Sequence, residues 1–172
     1  FWDAGVSKST LQYTPTSGVL AGEHLVKNKD VDFVIFTGGE KTALSMLESR
    51  ADLHLSAETG GKDATIVTSL SDRDQAVKNI IGSAFNNSGQ KCSATSLLVL
   101  EKEVYEDENF KSMLIDATLS LHVGSVWDFK NKIGSLVNLP SGNLKKALEH
   151  LDQGEQWLIK PSYADNENPY ML

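Results

Sequence analysis

"VDFVIFTGGEKTALSMLESRADLHLSAETGG", residues 31–61, decides the fold. Residues 31–39 are a continuous β-branched and aromatic run ended by two glycines, the pattern of a strand buried on both faces. "EKTALSMLESRADL" (40–53) then carries apolar residues at helical spacing, which turns Ala43, Leu44 and Leu47 inward. "LHLSAETGG" (53–61) is a second strand, again closed by two glycines. Strand, helix and strand in succession predict a crossover unit and a largely parallel sheet with helices on both faces, an α/β architecture.

The same alternation continues outward. Upstream, "LQYTP" (11–15) reads as a strand, and "SGVLAGEHLVKN" (17–28) places Val19, Leu20, Leu25 and Val26 at helical spacing. Downstream, "DATIVTSL" (63–70) is a third strand of the central region. The best-defined helix is "SDRDQAVKNIIGSAFNNSG" (71–89), with Ser71 as N-cap and Asp72 and Asp74 favouring the positive end of its dipole. Val77, Ile80, Ile81, Ala84 and Phe85 form its apolar stripe, and the Asn-Asn-Ser-Gly run is a C-terminal stop. A strand at 93–101, helices at 105–121 and 141–154 and a last strand, "WLIKPS" (157–162), complete the pattern.

Composition narrows the function classes. With 40% apolar and 23% charged residues, 172 residues suit a globular chain with one good core. No apolar run reaches the roughly 18 residues of a membrane helix, so no spanning segment is expected. A net charge of −7 without clustered Lys and Arg argues against a nucleic-acid surface and leaves small molecules or other protein chains as partners. One cysteine can form no internal disulfide, which fits a reducing compartment. His24, His54, His122 and His150 are scattered, and with a single Cys no metal-site spacing is present. The chain opens on Phe1 rather than Met and ends without a helix cap, so it is expected to be a piece of something longer.

Three short segments could carry chemistry. In "FTGGEKTA", a strand passes through Thr37, Gly38 and Gly39 directly into a helix, which presents free backbone N–H groups where anionic ligands bind in open parallel sheets. The same glycines would also serve a plain turn. In "SAETGGKDA", Glu58 ends a strand, where burial would push a carboxyl toward general-base range, although a solvated Glu beside a turn is the simpler alternative. In "NNSGQKCSATSLLVL" (86–100), Cys92 follows a helix and precedes a strand. A buried, inert cysteine would fit that place, and so would a nucleophile with Lys91 beside it favouring the thiolate.

Taken together these segments resemble the aldehyde dehydrogenase superfamily. "FTGG" is similar to the family's Phe-Thr-Gly-Ser turn, "ETGGK" to its Glu-Leu-Gly-Gly-Lys motif and "GQKCS" to its Gly-Gln-x-Cys segment. The 34 residues from Glu58 to Cys92 match the family pattern, and "KIGSLVN" (132–138) extends the likeness. "AETGGKDATIV", "SAFNNSGQKCSATSLLVL" and "WLIKPSYADNENPY" most resemble the 1-pyrroline-5-carboxylate (L-glutamate γ-semialdehyde) dehydrogenase branch, including the form fused behind proline dehydrogenase in bacterial proline utilization A proteins.

The resemblance implies a cysteine nucleophile, Cys92, and a general base, Glu58, in NAD-dependent oxidation of glutamate γ-semialdehyde to glutamate in proline catabolism. Thr37, Gly38 and Gly39 would follow the dinucleotide phosphates, Thr59 and Gly60 would pass near the nicotinamide, and Ser93 would touch the substrate. FAD would enter only with a proline dehydrogenase domain elsewhere in the parent protein, which would be a cytoplasmic homo-oligomer. Residues 1–59 would be the last part of the NAD-binding domain and 60–172 the first part of the catalytic domain.

Departures and gaps qualify what the isolated chain can do. Gly39 replaces the serine of the turn, Ala43 a second glycine and Thr59 a leucine. The upstream Pro-Trp-Asn segment, the upstream Lys and Glu that bind the ribose and the downstream Glu-x-Phe-Gly-Pro segment are missing. The chain alone is therefore expected not to turn over.

Overall fold

The computed structural model describes residues 1–165 and 167–172. They form two compact units, Phe1–Gly60 and Gly61–Leu172.

In the first unit, α1 (Gly18–Ala21) is capped by the Ser17 hydroxyl and runs on as a wider turn over Gly22–Val26. Strand β1 (Phe33–Gly38), helix α2 (Glu40–Ser49) and strand β2 (His54–Thr59) follow, and β1 pairs with β2 in parallel. The strand–helix–strand reading therefore holds, with α2 ending earlier than its apolar pattern. Arg50 stops that helix in an extended conformation, and its Nη1 donates to the carbonyls of Asn28 (2.8 Å) and Val31 (2.6 Å). Only Val26, Ala43 and Leu53 are buried here. Leu44 and Leu47 are exposed rather than inward, and so are Val19, Leu20 and Leu25. Strand β1 is covered on one face only: Ile35 is 81% exposed, because two strands and one helix supply a single layer against it.

The second unit has a continuous core. Strand β3 (Asp63–Val67) pairs in parallel with β4 (Thr95–Leu100), and α3 (Arg73–Phe85) connects them. Val67, Val77, Ile80, Val104, Phe110 and Leu114 pack together, with Leu98, Leu100 and Met113 against them. The cap of α3 is Asp72, whose carboxylate accepts from the Gln75 N–H at 2.8 Å. Ser71, expected in that role, instead accepts from the Thr68 N–H. The helix expected over 105–121 is α5 (Glu108–Leu119), which starts later because Asp107 accepts from the N–H groups of Asn109 and Phe110; a short helix, α4 (Lys102–Tyr105), precedes it. Helix α6 spans Gly142–Glu149.

The strands expected at 11–15 and 157–162 are not strands in the structure. Each ends at or beside a proline, which offers no N–H to a ladder, and neither has a neighbour to pair with among the described residues.

Candidate functional site

Parallel pairing sends the carboxyl ends of β1 and β2 to the same edge. The register sets Thr37 against Glu58 and Gly38 against Thr59. Four of the sequence-predicted residues, 21 positions apart in the chain, thus become two adjacent cross-strand pairs, with Gly39 and Gly60 immediately beyond them. Thr37 and Glu58 lie on the exposed face and Gly38 and Thr59 on the half-buried one. Glu58 is exposed, so the burial expected of it is not supplied within this unit.

The two glycines of the turn are there for different reasons. A Cβ on Gly38 would fall 2.4 Å from the tip of the Phe36 ring, its neighbour on the same face of β1, so a side chain there requires that ring to move. Around Gly39 nothing lies within 4 Å of where a Cβ would stand. Gly39 is also the N-cap of α2 and has no side chain to occupy the first turn. The N–H groups of Glu40 and Lys41 consequently have no acceptor among the described residues, as the first turn of a helix requires.

Cys92 and Ser93 belong to the second unit, where both are exposed in the turn that leads into β4. Cys92 is therefore not buried. Two fixed points flank this turn. On its far side the Ser83 hydroxyl of α3 accepts from the Thr95 N–H (3.2 Å) and lies 2.9 Å from the Thr95 hydroxyl, which meets the Thr65 hydroxyl of β3 at 2.7 Å. On its near side the chain leaves α3 through three successive left-handed residues, Asn87 (φ 55°), Ser88 (φ 57°) and Gly89 (φ 68°). Glycine adopts this conformation freely, whereas a left-handed Asn or Ser costs about 1 kcal/mol and needs local bonds to hold it. Here the Asn87 side-chain amide donates to the Gln90 carbonyl at 3.1 Å and the Ser88 hydroxyl to the Gly134 carbonyl at 2.9 Å. Asn-Asn-Ser-Gly does stop the helix, and the only sign of its left-handed path in the sequence is the presence of Asn and Gly.

Neither the Cys92 N–H nor the Ser93 N–H donates to any group among the described residues. An exposed thiol beside a free backbone donor can form a covalent bond to a carbonyl carbon while its oxygen gains a hydrogen bond.

Fold, strand-end residues and cysteine turn together define an aldehyde dehydrogenase segment, and the chain belongs to the aldehyde dehydrogenase family, whose pattern it matches over residues 1–166. Among curated proteins it is similar to 1-pyrroline-5-carboxylate dehydrogenase of Staphylococcus aureus (strain JH1), at 37% identity over 99% of this chain and 34% of that protein. Among solved structures it is similar to 1-pyrroline-5-carboxylate dehydrogenase from Thermus with bound NAD, at TM-score 0.72 and 30% identity over 79% of this chain and 27% of that one. A mutant of proline utilization A from Bradyrhizobium japonicum gives TM-score 0.75 and 29% identity over 80% of this chain and 14% of that one. The chain spans about a third of the length of the curated relatives it matches.

Proposed function

We propose that these residues carry the nucleophile and the general base of an NAD-dependent dehydrogenase that oxidises glutamate γ-semialdehyde to glutamate, a step of proline catabolism. The observation that carries the reading is the exposed Cys92 thiol with its unengaged backbone N–H, in a chain whose relatives are named for this activity. In chemical terms, the Cys92 thiolate adds to the aldehyde carbon, and the oxygen becomes an oxyanion held by the Cys92 N–H. NAD, when bound, supplies the acceptor for the hydride that leaves this carbon. The carbon is then an acyl thioester on Cys92. Glu58 takes a proton from water, the hydroxide attacks the thioester, and the acid leaves as the thiolate returns.

The turn residues fit a dinucleotide phosphate: Thr37 and Gly38 end a parallel strand, the space over Gly39 is open, and two free N–H groups begin α2. Thr59 and Gly60 lie on the same edge, which suits the nicotinamide end, and the exposed Ser93 beside Cys92 would meet the substrate. In this reading residues 1–59 are the end of the NAD-binding domain and residues 60–172 the start of the catalytic domain of a cytoplasmic, homo-oligomeric protein, a division supported by the boundary of the two compact units after Gly60. FAD belongs to it only if a proline dehydrogenase domain accompanies it.

No helix among the described residues is long and apolar enough to cross a membrane. The test is made in the polypeptide that carries these residues at the length of its relatives, assayed for NADH formation with glutamate semialdehyde and with simple aldehydes. Cys92→Ser is expected to abolish NADH formation, and Glu58→Gln to give one equivalent and then stall. Continued turnover by Cys92→Ser would refute the assignment. The 172-residue chain alone is expected to form no NADH.

A further inference from the structure

The side chain of Gln90 makes a contact that neither nucleophile nor base requires. Its Nε2 donates to the Ser135 carbonyl at 3.3 Å, while its Oε1 accepts from the Val137 N–H at 2.8 Å. One side-chain amide thus occupies the carbonyl of one residue and the N–H of the residue two further on, as a single residue of an adjoining parallel strand would. The same Nε2 also reaches the Asn87 carbonyl at 3.3 Å, and the Gln90 N–H donates to that carbonyl at 3.0 Å. Beside it, Ser88 donates to Gly134. Segment 134–137 is itself held, since the Leu136 N–H donates to the Tyr170 carbonyl at 2.8 Å and Ile133 is buried. The stretch "KIGSLVN", similar to the family in sequence but without a part in the chemistry, is therefore the anchor of the cysteine turn.

The geometry points to Gln90 as a positioning residue for Cys92: its amide replaces a missing strand and, with the Ser83–Thr95 contact on the other side, leaves only Lys91, Cys92, Ser93 and Ala94 between two fixed points. What it fixes is the backbone that carries the Cys92 N–H, so its effect falls on reactions that pass through an oxyanion. This inference rests on Cys92 being the nucleophile.

The test compares two reactions of the Cys92 thiol in the polypeptide that carries these residues at the length of its relatives, acylation by p-nitrophenyl acetate, which passes through an oxyanion, and alkylation by iodoacetamide, which does not. Gln90→Ala is expected to slow acylation about tenfold, in line with the sensitivity of rates to small misplacements, and to leave alkylation within about twofold. Amide exchange at Val137 is expected to accelerate in the same variant while that of Ile80 and Phe110 in the core does not change. Val137→Pro removes the donor to Gln90 Oε1 without touching the cysteine turn, and is expected to reproduce the selective loss of acylation; it serves also if Gln90→Ala fails to fold. Equal effects on the two reactions, or a Val137 amide still protected in Gln90→Ala, would overturn the positioning role alone. A wild-type thiol acylated no faster than free cysteine would remove the nucleophile reading and this inference with it.

Discussion

The two parallel strand pairs place functional residues by opposite means. In β1–β2 they stand at the carboxyl ends, after the strands, and the ladder register alone aligns Thr37 with Glu58 and Gly38 with Thr59. In β3–β4 the cysteine stands before its strand, outside any ladder, and side-chain bonds from Ser83 and Gln90 locate it. The supports differ as well. Behind β3–β4 lies a continuous core that includes the fully buried Phe110 and Val104, whereas the unit of β1–β2 buries only Val26, Ala43 and Leu53. A register needs little else to fix strand ends, while a turn outside the ladder depends on a rigid body behind it.

The largest expected effect tests that rigid body. Phe110→Ala should cost about 3–5 kcal/mol, the range for emptying a fully buried aromatic site, read from the urea midpoint by the exchange of α3 and β4 amides. A loss below about 1 kcal/mol would mean that the core does not support the cysteine turn. Next comes the β1 turn, where two neighbouring glycines should respond differently. Gly38→Ala meets the Phe36 ring and should cost about 1–3 kcal/mol through overpacking. Gly39→Ser enters open space at an N-cap and should leave stability within about 0.5 kcal/mol of wild type. Equal costs would show that backbone conformation, rather than Phe36, sets the requirement.

The smallest effect concerns pH. Glu101, just after β4, accepts from the Ser69 N–H, and that bond, with the Ser69 hydroxyl and the Arg73 charge, holds its carboxyl below the ordinary 4.5. A lowered folded-state pKa stabilises the fold above the unfolded value and is lost as pH falls through the folded one. Below pH 4.5, therefore, Glu101→Gln should show a shallower decline of stability with falling pH than wild type, measured by urea titrations across the acid range. An unchanged slope would place the acid sensitivity in other carboxylates.

Strands β1 and β2 were legible because every signal for them is local: an apolar run, then glycines. Their ends, and with them Thr37, Gly38, Glu58 and Thr59, followed directly. At 11–15 and 157–162 the local pattern was no worse, but a strand exists only beside a partner, and residue types do not announce one. Inward-facing residues failed in the same way at Leu44 and Leu47, which the spacing turns to one side without stating what covers it. Cys92 was visible as a candidate from its flanking motif, while its exposure, which residue type left open, came only from the structure. The Gln90 contact was invisible, since its partners are backbone groups up to 47 residues away and leave no mark on the identities of residues 135–137.

The unequal glycines of the β1 turn change what their presence can be taken to mean. At Gly38 a side chain would have to displace the Phe36 ring even in a protein that bound nothing, so finding glycine there carries less information about a ligand. At Gly39 the polypeptide imposes no such demand. Across related chains, the side chain tolerated at that position, rather than the glycine before it, is the better record of what the strand end accommodates.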